Sequence, residues 1–120
     1  MRFLLLIKHD EQRWLEEPES QKQKTYEEYR ALLGELGRSG VLVEADQCTA
    51  SDTARAVRMR NGEADVRKIP AQVREQMAGF ILIDVASERE ALTISVRIPS
   101  ARTGSIEVWP ISPRQQARAN

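Results

Sequence analysis

Three adjacent residues, His9, Asp10 and Glu11, concentrate the reactive chemistry of this chain. His9 is its one histidine, and imidazole is the usual general base near neutral pH. A His9–Asp10 or His9–Glu11 pair would bind or protonate a small polar ligand, with His9 and Asp10 as the catalytic candidates. Strand neighbours point to opposite sides, so Asp10 can orient His9 only where the chain turns. The competing reading is a solvated strand end. Three adjacent residues rarely close a metal site, so no metal is expected. Glu11, Trp14, Tyr26 and Tyr29 are candidates for lining a pocket, although Trp14 and the two tyrosines, at helical spacing, also read as core. Arg67 and Lys68 could hold an anion, or sit on a solvated loop. Arg97 and Arg102 flank the end of a second helix, where positive charge is favoured anyway. Glycine-rich phosphate loops, Ser/His/Asp arrangements and metal motifs are missing from the sequence, so no cofactor is expected.

The elements that must carry these residues are organised around two short apolar runs. Gly79 to Val85 and Phe3 to Ile7 are apolar at nearly every position on both strand faces. Such strands belong in the middle of a sheet covered on both sides. Arg2–Lys8 is expected as the first strand, and Arg13–Lys24 as a loop leading into a helix with Ser20 as N-cap. Tyr26, Tyr29, Leu33 and Leu36, with Leu32 beside them, form one stripe of that helix. It ends near Gly37 and Gly40. Val41–Cys48 reads as a second strand and Thr53–Arg60 as a third, returned by an Asn61-Gly62 hairpin turn through Glu63–Val66. Arg67–Met77 reads as a loop. Ser87 and Glu90 form a capping box, and Ala91, Ile94 and Ile98 line one side of a second helix. Thr93–Ile98 also alternates like a strand; the capping box and Pro99 favour helix. Ser105–Ile111 is a last strand, placed at an edge by Pro110.

The chain has 120 residues and zero formal charge. That suits one domain with a real core and gives no long-range field to gather nucleic acid or anionic lipid. One cysteine, Cys48, excludes an internal disulfide and reads as a small core residue. The apolar run after Met1 is too short for a signal peptide, whose core takes roughly 7–15 residues. No segment approaches the roughly 20 apolar residues of a membrane span, and a cytoplasmic protein is expected. Residues 1–111 should form the domain and 112–120 a disordered tail.

This order predicts an α+β, ferredoxin-like βαββαβ fold with an extra hairpin strand, an antiparallel sheet and both helices on one face. The other face is apolar too, and no third helix is expected to cover it. A second copy, packed sheet to sheet at about 10 Å, is the expected cover; a homodimer follows.

The runs Arg2–Lys8, Tyr29-Arg30, Leu33–Leu36, Ser39–Leu42, Ala78–Val85 and Ile98–Pro110 resemble, in order and spacing, the YCII-related family, also called DGPF-domain proteins. The resemblance implies a dimeric α/β barrel without a firmly assigned general activity. Some members stand beside or are fused to alternative sigma factors, and others occur in catabolic enzymes. The family's Asp-Gly-Pro-Phe falls on Arg67-Lys68-Ile69-Pro70, where none of the four is kept. An enzyme-like branch carries a His on the first helix and an Asp near the second. Here the first helix offers Tyr26 and Tyr29 instead, which weighs against hydrolysis or lactone chemistry of that kind.

Two functions follow. One is a homodimeric small-ligand-binding or accessory domain, with an association with sigma-factor regulation implied by the family. The other is a small enzyme acting on a compact polar or anionic metabolite, with His9 as acid/base and an arginine holding the anion.

Overall fold

A computed structural model describes residues 1–70 and 74–113. Nine elements follow in order: β1 (Arg2–His9), α1 (Glu11–Leu15), α2 (Glu19–Arg38), β2 (Leu42–Gln47), β3 (Arg55–Arg60), β4 (Glu63–Lys68), β5 (Gln76–Asp84), α3 (Glu88–Ser95) and β6 (Ser105–Ile111). Short 3-10 turns at Ser51–Thr53 and Pro99–Arg102 join them. The main sheet is antiparallel with strand order β2-β5-β1-β6. Setting the hairpin and α1 aside, this is the ferredoxin-like βαββαβ arrangement expected from the sequence. The two apolar runs lie side by side at its centre, with Phe3 opposite Ile83 and Leu5 opposite Ile81.

Alternation along these strands sorts the side chains. Phe3, Leu5, Ile7, Ile81 and Ile83 point to the helix side, where Leu32 and Leu36 of α2 and Ala91 and Ile94 of α3 complete the core with Val85 and Ile98. Leu4, Leu6, Phe80 and Leu82 point the other way and are only partly covered. Ser87 caps α3, its Oγ accepting from the Glu90 amide at 3.2 Å while Glu90 Oε2 accepts from the Ala86 amide at 3.2 Å. That settles helix over strand: two otherwise orphan donors are satisfied before the first turn. β6 is an edge strand, so Pro110 removes no ladder donor that a neighbour needs.

Several boundaries differ from expectation. The segment Arg13–Lys24 is not a loop: α1 and the first turns of α2 occupy it. Pro18, with its fixed φ, takes the N-cap position in place of Ser20 and makes no side-chain cap bond. β4 runs to Lys68, and β5 begins at Gln76, so Arg67 and Lys68 lie in a strand rather than a loop. Among the described residues β3 and β4 pair only with each other, as a separate two-stranded sheet around Asn61 and Gly62, both at positive φ. Cys48 is exposed just past β2, not packed in the core. The greater part of the expected tail, 114–120, lies outside the described residues.

Two glycines let strands approach closely, Gly104 at the end of β1 and Gly79 where β5 meets β2. A Cβ on Gly104 would overlap the Lys8 carbonyl and crowd His9 Cα at 3.0 Å; one on Gly79 would meet the Asp46 carbonyl at 2.6 Å. The β1–β5 register also slips between Ile7 and Lys8. The strand end that bears His9 lies between its β5 partner, Gln76, and the turn at Gly104.

Candidate functional site

At the end of β1 the chain turns at Asp10 into α1, and the reason is local. The Asp10 carboxylate accepts from the amides of Gln12 at 3.0 Å and Arg13 at 3.3 Å, which is N-cap chemistry. Asp10 Oδ1 is therefore committed to the helix start, and among the described residues no hydrogen bond joins this carboxylate to His9. Glu11 is also engaged. Its amide donates to Gln76 Oε1 at 3.0 Å, and its carboxylate accepts from the Ser51 amide at 2.8 Å and from Ser51 Oγ. Glu11 thus ties α1 to the start of β5 and to the turn from which the β3–β4 hairpin leaves.

α1 presents Trp14 back toward the sheet. Its indole lies 6.2 Å from the His9 ring and 5.5 Å from Tyr26, the latter edge-on at 80°, an arrangement aromatic quadrupoles favour. Lys22 Nζ stands 5.9 Å from the same indole on the α2 side, within cation–π range. Tyr29 OH and Ser100 Oγ are 2.7 Å apart, linking α2 to the Pro99–Arg102 turn.

These side chains surround a cavity of about 1000 Å³. Its wall on the sheet side is Ile7, Ala45, Ala78 and Ile81; Leu33, Tyr29, Tyr26 and Trp14 form the helix side. His9, Asp10 and Glu11 line it as well, so six of the residues singled out from sequence meet in one place. The α2 stripe divides accordingly: Leu32 and Leu36 are sealed in the core, whereas Tyr26 is 40% exposed at the cavity.

The other four candidates stand elsewhere. Arg67 lies on the hairpin, its Nε 2.9 Å from Asp65, and neither Arg67 nor Lys68 lines the cavity. Arg97 pairs with Glu35 at 2.7 Å and Arg102 with Glu28 at 2.8 Å, pinning α2 to the segments after α3. Arg102 borders a smaller cleft of about 90 Å³ that also touches His9, Asp10 and Trp14. Sequence reasoning missed Arg74, Ser51, Asp52 and Ser100, which line the main cavity. Nothing in their spacing marks them; they arrive through turns and a strand start read as loop.

Electrostatically, His9 is held below its ordinary value. Burial disfavours the imidazolium, and the nearby charges of Glu11 and Asp10 oppose that only partly. Tyr29 is pushed up, chiefly by burial, with its Ser100 contact and Arg102 working against the shift. At neutral pH the cavity presents a neutral imidazole. Among the described residues the His9 ring nitrogens, the Trp14 indole N–H and the Tyr26 hydroxyl have no hydrogen-bond partner. No group of three or more His, Cys, Asp or Glu is placed among them to hold a metal.

Comparison with known proteins gives two findings. The sequence pattern of the YCII-related domain matches residues 1–115. An uncharacterised protein of Rhizobium meliloti is 31% identical over 118 residues, covering 93% of each chain.

Proposed function

The chain belongs to the YCII-related family, and from that premise we propose that it is a homodimeric domain that binds a small, flat, partly apolar ligand. The observation that carries this is the cavity itself. It joins an aliphatic sheet wall to an aromatic wall, and the polar tips of His9, Trp14 and Tyr26 have no hydrogen-bond partner among the described residues. Ligand sites are built in this way: apolar lining, and a few polar groups that fix orientation. A conjugated ring with a hydroxyl or carbonyl edge fits it. The ring would pack on Trp14 and Tyr26, and the polar edge would reach the neutral His9. We place the protein in the cytoplasm; no helix of the described residues is long and apolar enough to cross a membrane.

The homodimer rests on the bare side of the sheet. Leu4, Leu6, Phe80 and Leu82 are register-matched on one face and are only partly covered, with no layer over them among the described residues. The molecule is 19 Å through its thinnest direction, room for one sheet and one helix layer at about 10 Å each. Sheet-to-sheet pairing about a two-fold axis would cover that face.

A second reading is favoured by the lowered His9 value: a neutral imidazole facing a cavity is a competent general base. The domain would then be a small enzyme acting on a compact polar or anionic metabolite, with Arg74 at the lining to meet an anion.

Trp14 emission and His9 NMR shifts, followed across a library of small aromatic alcohols, ketones and carboxylates, test both readings. Saturable binding that weakens at least about tenfold in Trp14→Ala supports the ligand site; turnover lost in His9→Gln supports the enzyme. A library that moves neither probe sinks both.

A further inference from the structure

We infer that the β3–β4 hairpin is an arm that grips a second copy of this chain, laying Val57, Met59 and Val66 on the partner's edge strand β6 at Trp109 and Ile111. This rests on the homodimer reading above and adds to it a contact that the bare sheet face alone does not require.

The hairpin has two unlike sides. Its register sets Val57 opposite Val66 and Met59 opposite Ala64, so one side is an apolar stripe. Arg55 and Lys68, also opposite each other, close that side at the root. The reverse side carries Arg58, Arg60, Glu63, Asp65 and Arg67. Val57 is 64% exposed, Met59 63% and Val66 57%, although the side chains are matched in pairs as if for a packed surface. A two-stranded ribbon alone is marginal in water. Among the described residues this one belongs to no other sheet, so its apolar side needs something to rest on.

The seat is present on the same chain. In the order β2-β5-β1-β6 the arm departs beyond β2, at one edge, and β6 forms the other. When two sheets face each other about a two-fold axis along the strands, the β2 edge of each protomer lies opposite the β6 edge of its partner. That edge exposes Trp109 at 55% and Ile111 at 41%. Both stand on the bare face, opposite Leu4 and Arg2 of β1. Glu107, two positions from Trp109 on the same face, accepts from Lys8 Nζ at 3.3 Å and from the Trp109 indole N–H at 2.9 Å, which holds the seat in place. Each copy supplies one arm and one seat, so the contact occurs twice and closes on itself.

The test uses the full chain with Trp14→Phe, which leaves Trp109 as its one indole. Sedimentation and Trp109 emission are read against protein concentration, with and without Val57→Ser, Met59→Ser and Val66→Ser together. The expected result is a dimer whose formation shifts Trp109 emission to the blue. The triple variant raises the dissociation constant at least about tenfold and leaves the emission red. Separately, Met59→Cys and Ile111→Cys in a Cys48→Ser background should give a covalent dimer with a short bis-maleimide. If the triple variant dimerises as before with unchanged Trp109 emission, the arm has no role and the homodimer stands without it. A lone 13.6 kDa particle in every variant removes the homodimer and the arm's partner together. If the dimer is unaffected but binding of a short DNA duplex is lost in the triple variant, the arm's partner is nucleic acid and the inference is overturned.

Discussion

The β1–β5 pair and the β3–β4 pair are built from similar material with opposite fates. Both are antiparallel and both set apolar residues opposite each other. In the first, Phe3, Leu5, Ile81 and Ile83 are almost fully buried; in the second, Val57, Met59 and Val66 are more than half exposed. Strand chemistry therefore does not decide burial. What decides it is whether the next element returns: α2 and α3 cross back over the first pair, whereas Asn61 and Gly62 turn the second upon itself and send it nowhere else. A chain that hides one pair and bares the other keeps the first for its own stability. The second is the one we assign to the partner copy.

The largest test of this contrast is Gly104→Val. The new side chain would collide with the Lys8 backbone and the start of the His9 turn; backbone does not give way as a flexible side chain does. We expect loss above about 4 kcal/mol, the range reserved for such clashes, seen as failure to fold by circular dichroism. A folded, cooperative variant would show that the end of β1 is looser than described.

Next comes Leu5→Ala against Val57→Ala. Leu5 is fully buried, so truncation should cost about 2–5 kcal/mol in urea unfolding. Val57→Ala should stay within about 0.5 kcal/mol in the monomer and act only on self-association. Equal costs would erase the distinction between the two pairs.

Ser87→Ala sharpens the comparison on the covered side. Losing the Ser87–Glu90 cap should cost about 1 kcal/mol and loosen α3 over β1 and β6. Hydrogen exchange should quicken in α3 while the β3–β4 amides stay as they were. A matching change in the hairpin would mean that the two regions are coupled.

How much of this was legible follows the same division. Phe3–Ile7 and Gly79–Val85 announced a central pair because short runs apolar on both strand faces belong to strands covered on both sides. Asn61-Gly62 announced a hairpin, and Ser87 with Glu90 a helix start. α1 was not legible: a five-residue helix has no period to detect, and its cap, Asp10, looked like half of a catalytic pair. Nor could sequence say that the hairpin would leave the sheet, since Arg55–Arg60 alternates as well as any paired strand. Within the site, His9, Trp14 and Tyr26 were visible by type. Tyr26 and Tyr29 shared a helical stripe with Leu33 and Leu36, and only the fold shows where that stripe passes from core to cavity. Arg74 and Ser100 come from turns whose course depends on everything around them.

The smallest effect is the pH response of His9, and its sign tests the covered side of the sheet at its boundary with water. Burial lowers the folded value below the unfolded one, about 6.5. The folded chain then holds fewer protons than the unfolded chain as pH falls through 6.5. Stability is fully present above that value and is shed until the lowered folded value is passed. The unfolding midpoint should decline as pH falls below about 6.5, and His9→Gln should flatten that part of the decline. Trp14→Ala should return the imidazole toward 6.5 by admitting water, since desolvation is the largest cause of the shift. Glu11→Gln should lower it further by removing an opposing charge. A titration of the His9 ring protons by NMR reads all three. A wild-type value at or above 6.5 would mean that His9 faces solvent much as the bare hairpin does, and that the cavity is not dry enough at that end to favour a neutral base.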